Sequence, residues 1–313
     1  MLGYLLRRIL ATIPVMGVVA LFVFLLLRLT PGDPAAILAG DNATPEKLEQ
    51  IRTALGLSEP LHIQFITWIG RLLHGDLGVS LISNVPVLKM IGQRVEPSIS
   101  LAVATIILSV LVAVPLGVIA AWKQGTWIDR FVMGLSVLGF SVPVFVIGYV
   151  LMQIFAIDHR WLPVQGYKSI FDGFGPFFQR IVLPTLSLSF IYVALIARMT
   201  RTSMLDVLGE DYVRTARAKG IAESGVLLRH ALRNAAVPVI TVIGTGFALL
   251  ISGVVVTESV FNLPGIGRLT VDAVLARDYP VIQAMILLTS GIYVAVNLLI
   301  DVAYTMLDPR IRY

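Results

Sequence analysis

Between Glu210 and Val239 runs EDYVRTARAKGIAESGVLLRHALRNAAVPV, where charges crowd around small residues in a chain that is otherwise mostly apolar. Arg214, Thr215, Ala216, Arg217, Ala218, Lys219, Gly220, Ile221 and, further on, His230 are of types that suit contact rather than catalysis. Small side chains let another surface come close, and basic ones offer charge to an acidic partner. The reactive inventory elsewhere is thin. With no cysteine, disulfides, zinc–thiolate sites, iron–sulfur clusters and thiol nucleophiles are excluded. His62, His74, His159 and His230 are scattered without metal-ligand spacing. None falls in an apolar run, which removes the serine–histidine pairing of an intramembrane protease. The five lysines, Lys47, Lys89, Lys123, Lys168 and Lys219, include none in a G-x-x-x-x-G-K-[ST] frame. The chain is therefore not expected to bind or hydrolyse ATP through a P-loop. No catalytic residue, metal or cofactor is assigned to it.

The elements that position the charged insert are written in the composition. Of 313 residues, 57% are hydrophobic and 14% charged, well below the roughly 25% charged of a soluble domain. A hydrocarbon core about 30 Å thick needs roughly 20 apolar residues per helical crossing. Six runs qualify: Ile9–Leu27, Ser98–Trp122, Phe131–Ile157, Ile181–Met199, Ala235–Phe261 and Pro280–Leu307. A membrane β-barrel would show short alternating segments instead. The fold class is thus an all-α polytopic membrane protein with six transmembrane helices. The first run follows Arg7-Arg8 but exceeds the 7–15 residues of a signal h-region, so it is read as an uncleaved anchor.

Lysine and arginine near the spans set the orientation. With the N-terminus in the cytoplasm, and with Thr30–Pro97 left out because loops beyond about 60 residues translocate largely regardless of charge, thirteen fall inside, from Arg7 and Arg8 to Arg310 and Arg312, and five in the two short outside loops: Arg160, Lys168, Arg180, Arg268 and Arg277. Both termini and the insert are then cytoplasmic. The +5 net charge follows from this topology and calls for no nucleic-acid partner. The chain divides into a first transmembrane helix (1–29), an external helical loop (30–97) and a five-helix core (98–313) that carries the cytoplasmic insert at 205–234.

Within the external loop, PGDP at Pro31–Pro34 is turn chemistry that ends the first span. Thr44 reads as an N-cap, Pro45 as a first helical residue and Gly56 as a stop, with Leu48, Ile51 and Leu55 on one face. A second helix follows with Leu61, Phe65, Trp68, Ile69 and Leu72 on one side. Such faces pack onto the bundle or onto an external partner. Ionisable residues in the spans are few: Asp301 near the cytoplasmic end of the sixth and Glu258 near the outer end of the fifth. Mid-depth charges that would couple transport to protons or sodium are missing. In the fifth span Thr241, Thr245, Ser252 and Ser259 fall within about 40° on a helix turning 100° per residue. That stripe serves either close helix packing or as the lining of a path for a hydrophilic solute. Gly139 and Pro143 are expected to kink the third span.

The insert itself reads as two short helices, Glu210–Lys219 and Ala222–Arg233, with Gly220 as a C′ stop between them. Arg229, His230 and Arg233 would then lie near the C-terminal end of the second helix, where positive charge is favourable. Together they make a rigid docking knuckle for a cytoplasmic protein.

At this point the residues resemble a family. The spacing from Arg214-Thr215-Ala216 to Gly220, then to His230-x-Leu232, is similar to the EAA loop of ABC importer permeases, E-A-A-x-x-x-G followed by nine residues and I-x-L-P. Arg214 stands for the Glu, Thr215 for the first Ala, and His230 and Arg233 for the Ile and Pro. Those departures look typical of the peptide/nickel branch. So do LLRRIL with PGDP, HGDLG at His74–Gly78, RMTR at Arg198–Arg201, FNLPGIGR at Phe261–Arg268, RDYPVIQ at Arg277–Gln283 and the final DPRIRY. The likeness covers essentially the whole chain and is closest in type to a first permease subunit. It implies the type I importer fold in a bacterial inner membrane. It also implies pairing with a homologous second permease subunit, two cytoplasmic ATPase subunits carrying ATP and Mg, and an external substrate-binding protein. The cargo implied is a di- or oligopeptide, with nickel chelates, glutathione or another small solute as alternatives. A channel outside the ABC class is the remote alternative.

Overall fold

Apolar segments in lipid must satisfy their own backbone hydrogen bonds, and a helix does this within one stretch of chain. The computed structural model describes residues 2–29, 44–54 and 57–307; every element among them is helical apart from one isolated bridge, Val79 to Pro86. The turn at Pro31–Pro34, Leu55, the stop at Gly56 and the terminal DPRIRY fall outside the described residues, as does the Ile51 side chain.

Helix α1, Leu2–Leu29, leans on the last helix, Tyr279–Leu307, and Arg8 reaches Asp301 at 3.1 Å. Asp301 is therefore part of an ion pair between the first and last helices. Helix α2, Pro45–Ala54, starts as its capping residues predict, with Leu48 N donating to Thr44 O at 3.0 Å. Helix α3, Leu61–Leu73, turns its predicted apolar side inward: the rings of Phe65 and Trp68 lie 5.2 and 5.8 Å from that of Phe24. Helix α4, Val87–Trp122, begins ahead of the expected Ser98. Its first three turns carry Lys89, Arg94 and Glu96 and so extend the helix beyond its apolar run, while Pro97 is accommodated inside it.

At the centre α4 lies along α7, Phe174–Leu208. The seam is made of small residues four apart on α4: Thr105, Ser109, Ala113, Gly117 and Ala121, all buried. A Cβ on Gly117 would come within 2.6 Å of Thr200 Cβ and 2.7 Å of the Ala197 carbonyl, so only glycine permits this approach. The hydroxyls of Thr105, Ser109 and Thr200 sit in the seam without a hydrogen-bond partner among the described residues, so their contribution is size.

The third crossing is broken. Helices α5, Trp127–Ser141, and α6, Val144–Met152, meet at a bend of 96°. Proline lacks an N–H and pushes the residue before it into extended backbone, and Val142 is extended (φ −93°, ψ 122°) immediately before Pro143. The expected kink is thus a full interruption, after which α6 runs on through a π turn, Gln153–Asp158. Among the described residues five helices are long and apolar enough to cross a bilayer, and the bent α5–α6 pair makes a sixth crossing if counted as one.

Helix α8, Asp211–Ala218, follows α7. The chain becomes helical again at Glu223, passes a π turn at Val226–Ala231 and continues as α9, Leu232–Gly253. The fifth crossing does not reach Phe261. It stops at Val254 (φ −82°, ψ 22°), and two short helices follow, α10, Val255–Val260, and α11, Ile266–Leu275, before α12, Tyr279–Leu307.

Candidate coupling site

The knuckle is assembled by three segments at one end of the bundle: the last turn of α7, helix α8, and the turn entering α9. Glu210 is extended (φ −73°, ψ 148°) and redirects the chain out of α7. On α8 the apolar positions Val213 and Ala216 are buried against Val226, with Val207 and Leu208 alongside. The helix ends where Gly220 takes φ +75°, with Gly220 N donating to Arg217 O at 2.9 Å and Ile221 N to Ala216 O at 3.3 Å. Open space surrounds a Cβ placed on Gly220, so its requirement is conformational, not steric.

Arg214, Thr215, Arg217, Ala218, Lys219, Gly220 and Ile221 are exposed together, and His230 is half-buried in the π turn. Two expectations are corrected. Ala216 faces inward, because the α8 side that carries Val213 is the one that meets Val226. The second helix is no separate element ending at Arg233: it runs through the π turn into α9, so Arg229, His230 and Arg233 lie near the start of a long helix rather than at the end of a short one.

Charge at the knuckle is partly neutralised within the chain. Arg217 Nη2 and Nε donate to Glu223 at 2.8 and 3.2 Å, and this hydrogen bonding holds the guanidinium above its usual range. Arg214 and Asp211 approach at 3.4 Å but are almost fully solvated, so that pair adds little. Deeper in the bundle, Arg201 makes a two-pronged contact with buried Asp129 at 2.5 and 2.8 Å, tying α7 to the first turn of α5.

The stripe on the fifth span does not survive as one line. Thr241 and Thr245 are half-buried; their hydroxyls donate to the carbonyls of Val237 and Thr241 at 2.9 Å each, and Thr241 also meets the Tyr304 hydroxyl on α12. Gly244 stands directly against Ile300 of α12, so the two helices pack closely here. The Ser252 side chain lies outside the described residues. Ser259 belongs to α10 and, past the break, no longer continues the helix of Thr241. It borders a polar cleft with Gln165, Asn262, Arg268 and Asp272.

At the opposite end, three carboxylates organise a cap that spacing did not reveal. Glu258, 1% exposed, accepts from Ser98 Oγ at 2.6 Å and from Arg268 N at 2.8 Å, and Ser98 Oγ accepts from Ile266 N at 2.8 Å. A side chain at Gly265 would overlap the Glu258 carboxylate. The glycines and proline of FNLPGIGR thus serve to bring the N-terminus of α11 onto a buried acid. Asp278, also buried, accepts from Ser80 Oγ and from Leu81 N at 3.0 Å. Glu96 accepts from Ser169 Oγ (2.6 Å), Tyr167 hydroxyl (3.1 Å) and Ile170 N (3.2 Å). Burial pushes the Tyr167 phenol up to about 12. Glu258 as a charge in a span, and FNLPGIGR and RDYPVIQ as motifs with no role yet attached, were the pointers toward this cap in the sequence.

Residues 113–313 match the family described as binding-protein-dependent transport system inner membrane component, and residues 1–102 match the N-terminal part of such membrane components. The chain belongs to this family. The permease is 57% identical over 310 residues to a probable peptide ABC transporter permease of Sinorhizobium fredii, covering 99% of each chain. It is 46% identical over 313 residues to a glutathione transport system permease of Salmonella typhimurium, and 44% identical over 313 residues to a putative peptide transport system permease of Brucella abortus, covering all of each chain in both cases. The resemblance read from the EAA-like loop therefore holds: the protein is an ABC importer permease of the all-α type I fold, a transport subunit rather than an enzyme, and a multi-pass inner-membrane protein.

Proposed function

We propose that the permease forms half of the translocation path of an ATP-driven importer of di- and oligopeptides. A homologous second permease would complete the path, two cytoplasmic ATPase subunits would carry ATP and Mg, and an external binding protein would deliver cargo. The observation that carries this reading is full-length similarity to peptide permeases combined with an exposed small-residue and basic knuckle on α8. Both termini and the knuckle are assigned to the cytoplasm by the arginine and lysine balance.

In this reading Arg214, Thr215, Arg217, Ala218, Lys219, Gly220 and Ile221 face an ATPase groove. Val213 and Ala216 pass its movement to Leu208 at the end of α7 and to Val226 ahead of α9. Helix α7 is a 35-residue rod, and the Arg201–Asp129 pair hitches it to α5, the lower half of the broken crossing. Closure of the ATPases would then rock α5, α7 and α9 as rigid bodies. Thr241 and Thr245 remain candidates for the path only where α9 and α12 part in another state.

Glutathione is the second reading, favoured by the 46% identity to a glutathione permease and by its being itself a tripeptide. Growth and uptake of a deletion strain on defined dipeptides, glutathione and nickel separate the readings. Loss of dipeptide uptake, restored by the gene, is expected. Loss confined to glutathione selects the second reading, and loss of neither removes both.

A further inference from the structure

Helix α3 has three sides of different character. At 100° per residue, Gln64, Thr67 and Arg71 make a polar stripe roughly 60° wide. The flank carrying Phe65 and Trp68 packs on α1 through Phe24. The next flank carries Ile63, Ile66 and Leu73, and it stays open: Ile66 is 67% and Leu73 80% exposed.

Depth decides what covers that flank. Phe24 lies three residues before the end of the apolar run Ile9–Leu27 on α1. At a rise of 1.5 Å per residue, Phe24 lies roughly 26 Å beyond Arg7, just inside the far edge of a hydrocarbon layer about 30 Å thick. A helix whose rings touch Phe24 sits at that edge and not above it. Leu21 and Phe22, within a turn of Phe24 on α1, are themselves exposed apolar residues at this depth.

We propose that α3 is an interfacial helix whose open flank, Ile63, Ile66 and Leu73, is embedded in the acyl-chain edge of the leaflet beside α1. The Gln64–Thr67–Arg71 stripe faces water and headgroups. Apart from His62 in its first turn, the polar side chains of α3 fall on one stripe, the pattern of segments that lie in the interface plane. Trp68 has the amphipathic ring enriched at that level, and Arg71 can extend its charge toward phosphates while its stem stays on apolar surface. The proposal requires only that α1 crosses the bilayer; it is independent of cargo and of the knuckle.

The chain has no cysteine, so each introduced cysteine is the single thiol of this subunit, and the complex without it gives the background labelling. Ile66→Cys, Leu73→Cys and, as the polar-stripe control, Thr67→Cys are labelled with an environment-sensitive fluorophore in the assembled transporter. The complex is placed in nanodiscs of phosphatidylethanolamine and phosphatidylglycerol. Brominated acyl chains are expected to quench the labels at positions 66 and 73 strongly and that at 67 weakly, with aqueous iodide showing the reverse order. Iodide quenching at 66 and 73 equal to that at 67 would place the flank in water and overturn the proposal. Protection from both quenchers would show that a protein partner covers it, and overturns it equally.

Discussion

The two ends of the permease are built by opposite rules. At the cap, Glu258, Asp278 and Glu96 each gather donors from segments far away in the chain, and two of the three acids are buried. At the knuckle the charged groups stand in solvent, the ion pairs described are local, Arg217 with Glu223 and the more solvated Arg214 with Asp211, and three small apolar side chains do the holding. A buried carboxylate with its partners supplied has completed its interactions, whereas an exposed basic face around small residues has not. The contrast separates a surface that the chain finishes for itself from one left for another protein to finish.

The largest effect is expected where the chain is self-completed. Glu258→Ala leaves the Ser98 hydroxyl and the Arg268 N–H without their acceptor, and an unsatisfied buried polar group costs about 1–3 kcal/mol, more for a charged one. The transporter should lose thermal stability sharply, read by unfolding of the purified complex. Gly265→Ala should do the same by collision with the carboxylate. Stability near wild type in both variants would mean that the cap is ornamental and the contrast false.

The next effect is a loss of coupling rather than of fold. Gly220 sits at φ +75°, where an ordinary side chain costs about 1–2 kcal/mol, so Gly220→Ala should be tolerated. Proline is locked near −65° and cannot close the α8 turn. Gly220→Pro should leave the protein inserted while abolishing transport-linked ATP hydrolysis, measured on the reconstituted complex. Retained uptake would remove the knuckle as the coupling element. Ala216 and Ala218 then make a paired test two residues apart. Ala216→Glu forces a charge into the Val213–Val226 contact and should lower both stability and uptake; Ala218→Glu, on the open side, should lower uptake at unchanged stability. Equal stability losses would mean that α8 does not present the face described.

These faces show what was legible beforehand. Apolar run lengths located the crossings, and the αL requirement of Gly220 was readable because a C′ glycine is a local signal. Pro143 announced the break in the third crossing, though not its size: α6 leaves at 96° and brings Gly148 close to the ring of Phe261, a neighbour more than 100 residues away in the chain. The inward turn of Ala216 was hidden because it depends on where Val226 returns after the Gly220 turn. The cap was hidden for a stronger reason: Ser98 and Glu258 are separated by 160 residues, and Ser80 and Asp278 by 198. No local period records such pairs. Asp301, readable as a lone intramembrane charge, was explained only by the return of Arg8 to its side.

The smallest effect sharpens the comparison at the knuckle itself. Arg217 is already engaged by Glu223, and an exposed pair of that kind is worth about 0–1 kcal/mol, so Arg217→Ala should not measurably change unfolding. Docking is expected to draw more on Lys219, which ends α8 beside the Gly220 turn, because a charge committed within the chain is poorly placed to answer a partner. Lys219→Glu should therefore release more ATPase on co-purification than Arg217→Ala, and the gap should shrink as salt rises, since screening weakens exposed charge contacts. If Arg217→Ala releases as much ATPase as Lys219→Glu, the Glu223 pair opens on docking. Arg217 would then be a contact in its own right, and the local pair a latch that holds its side chain ready until the ATPase arrives.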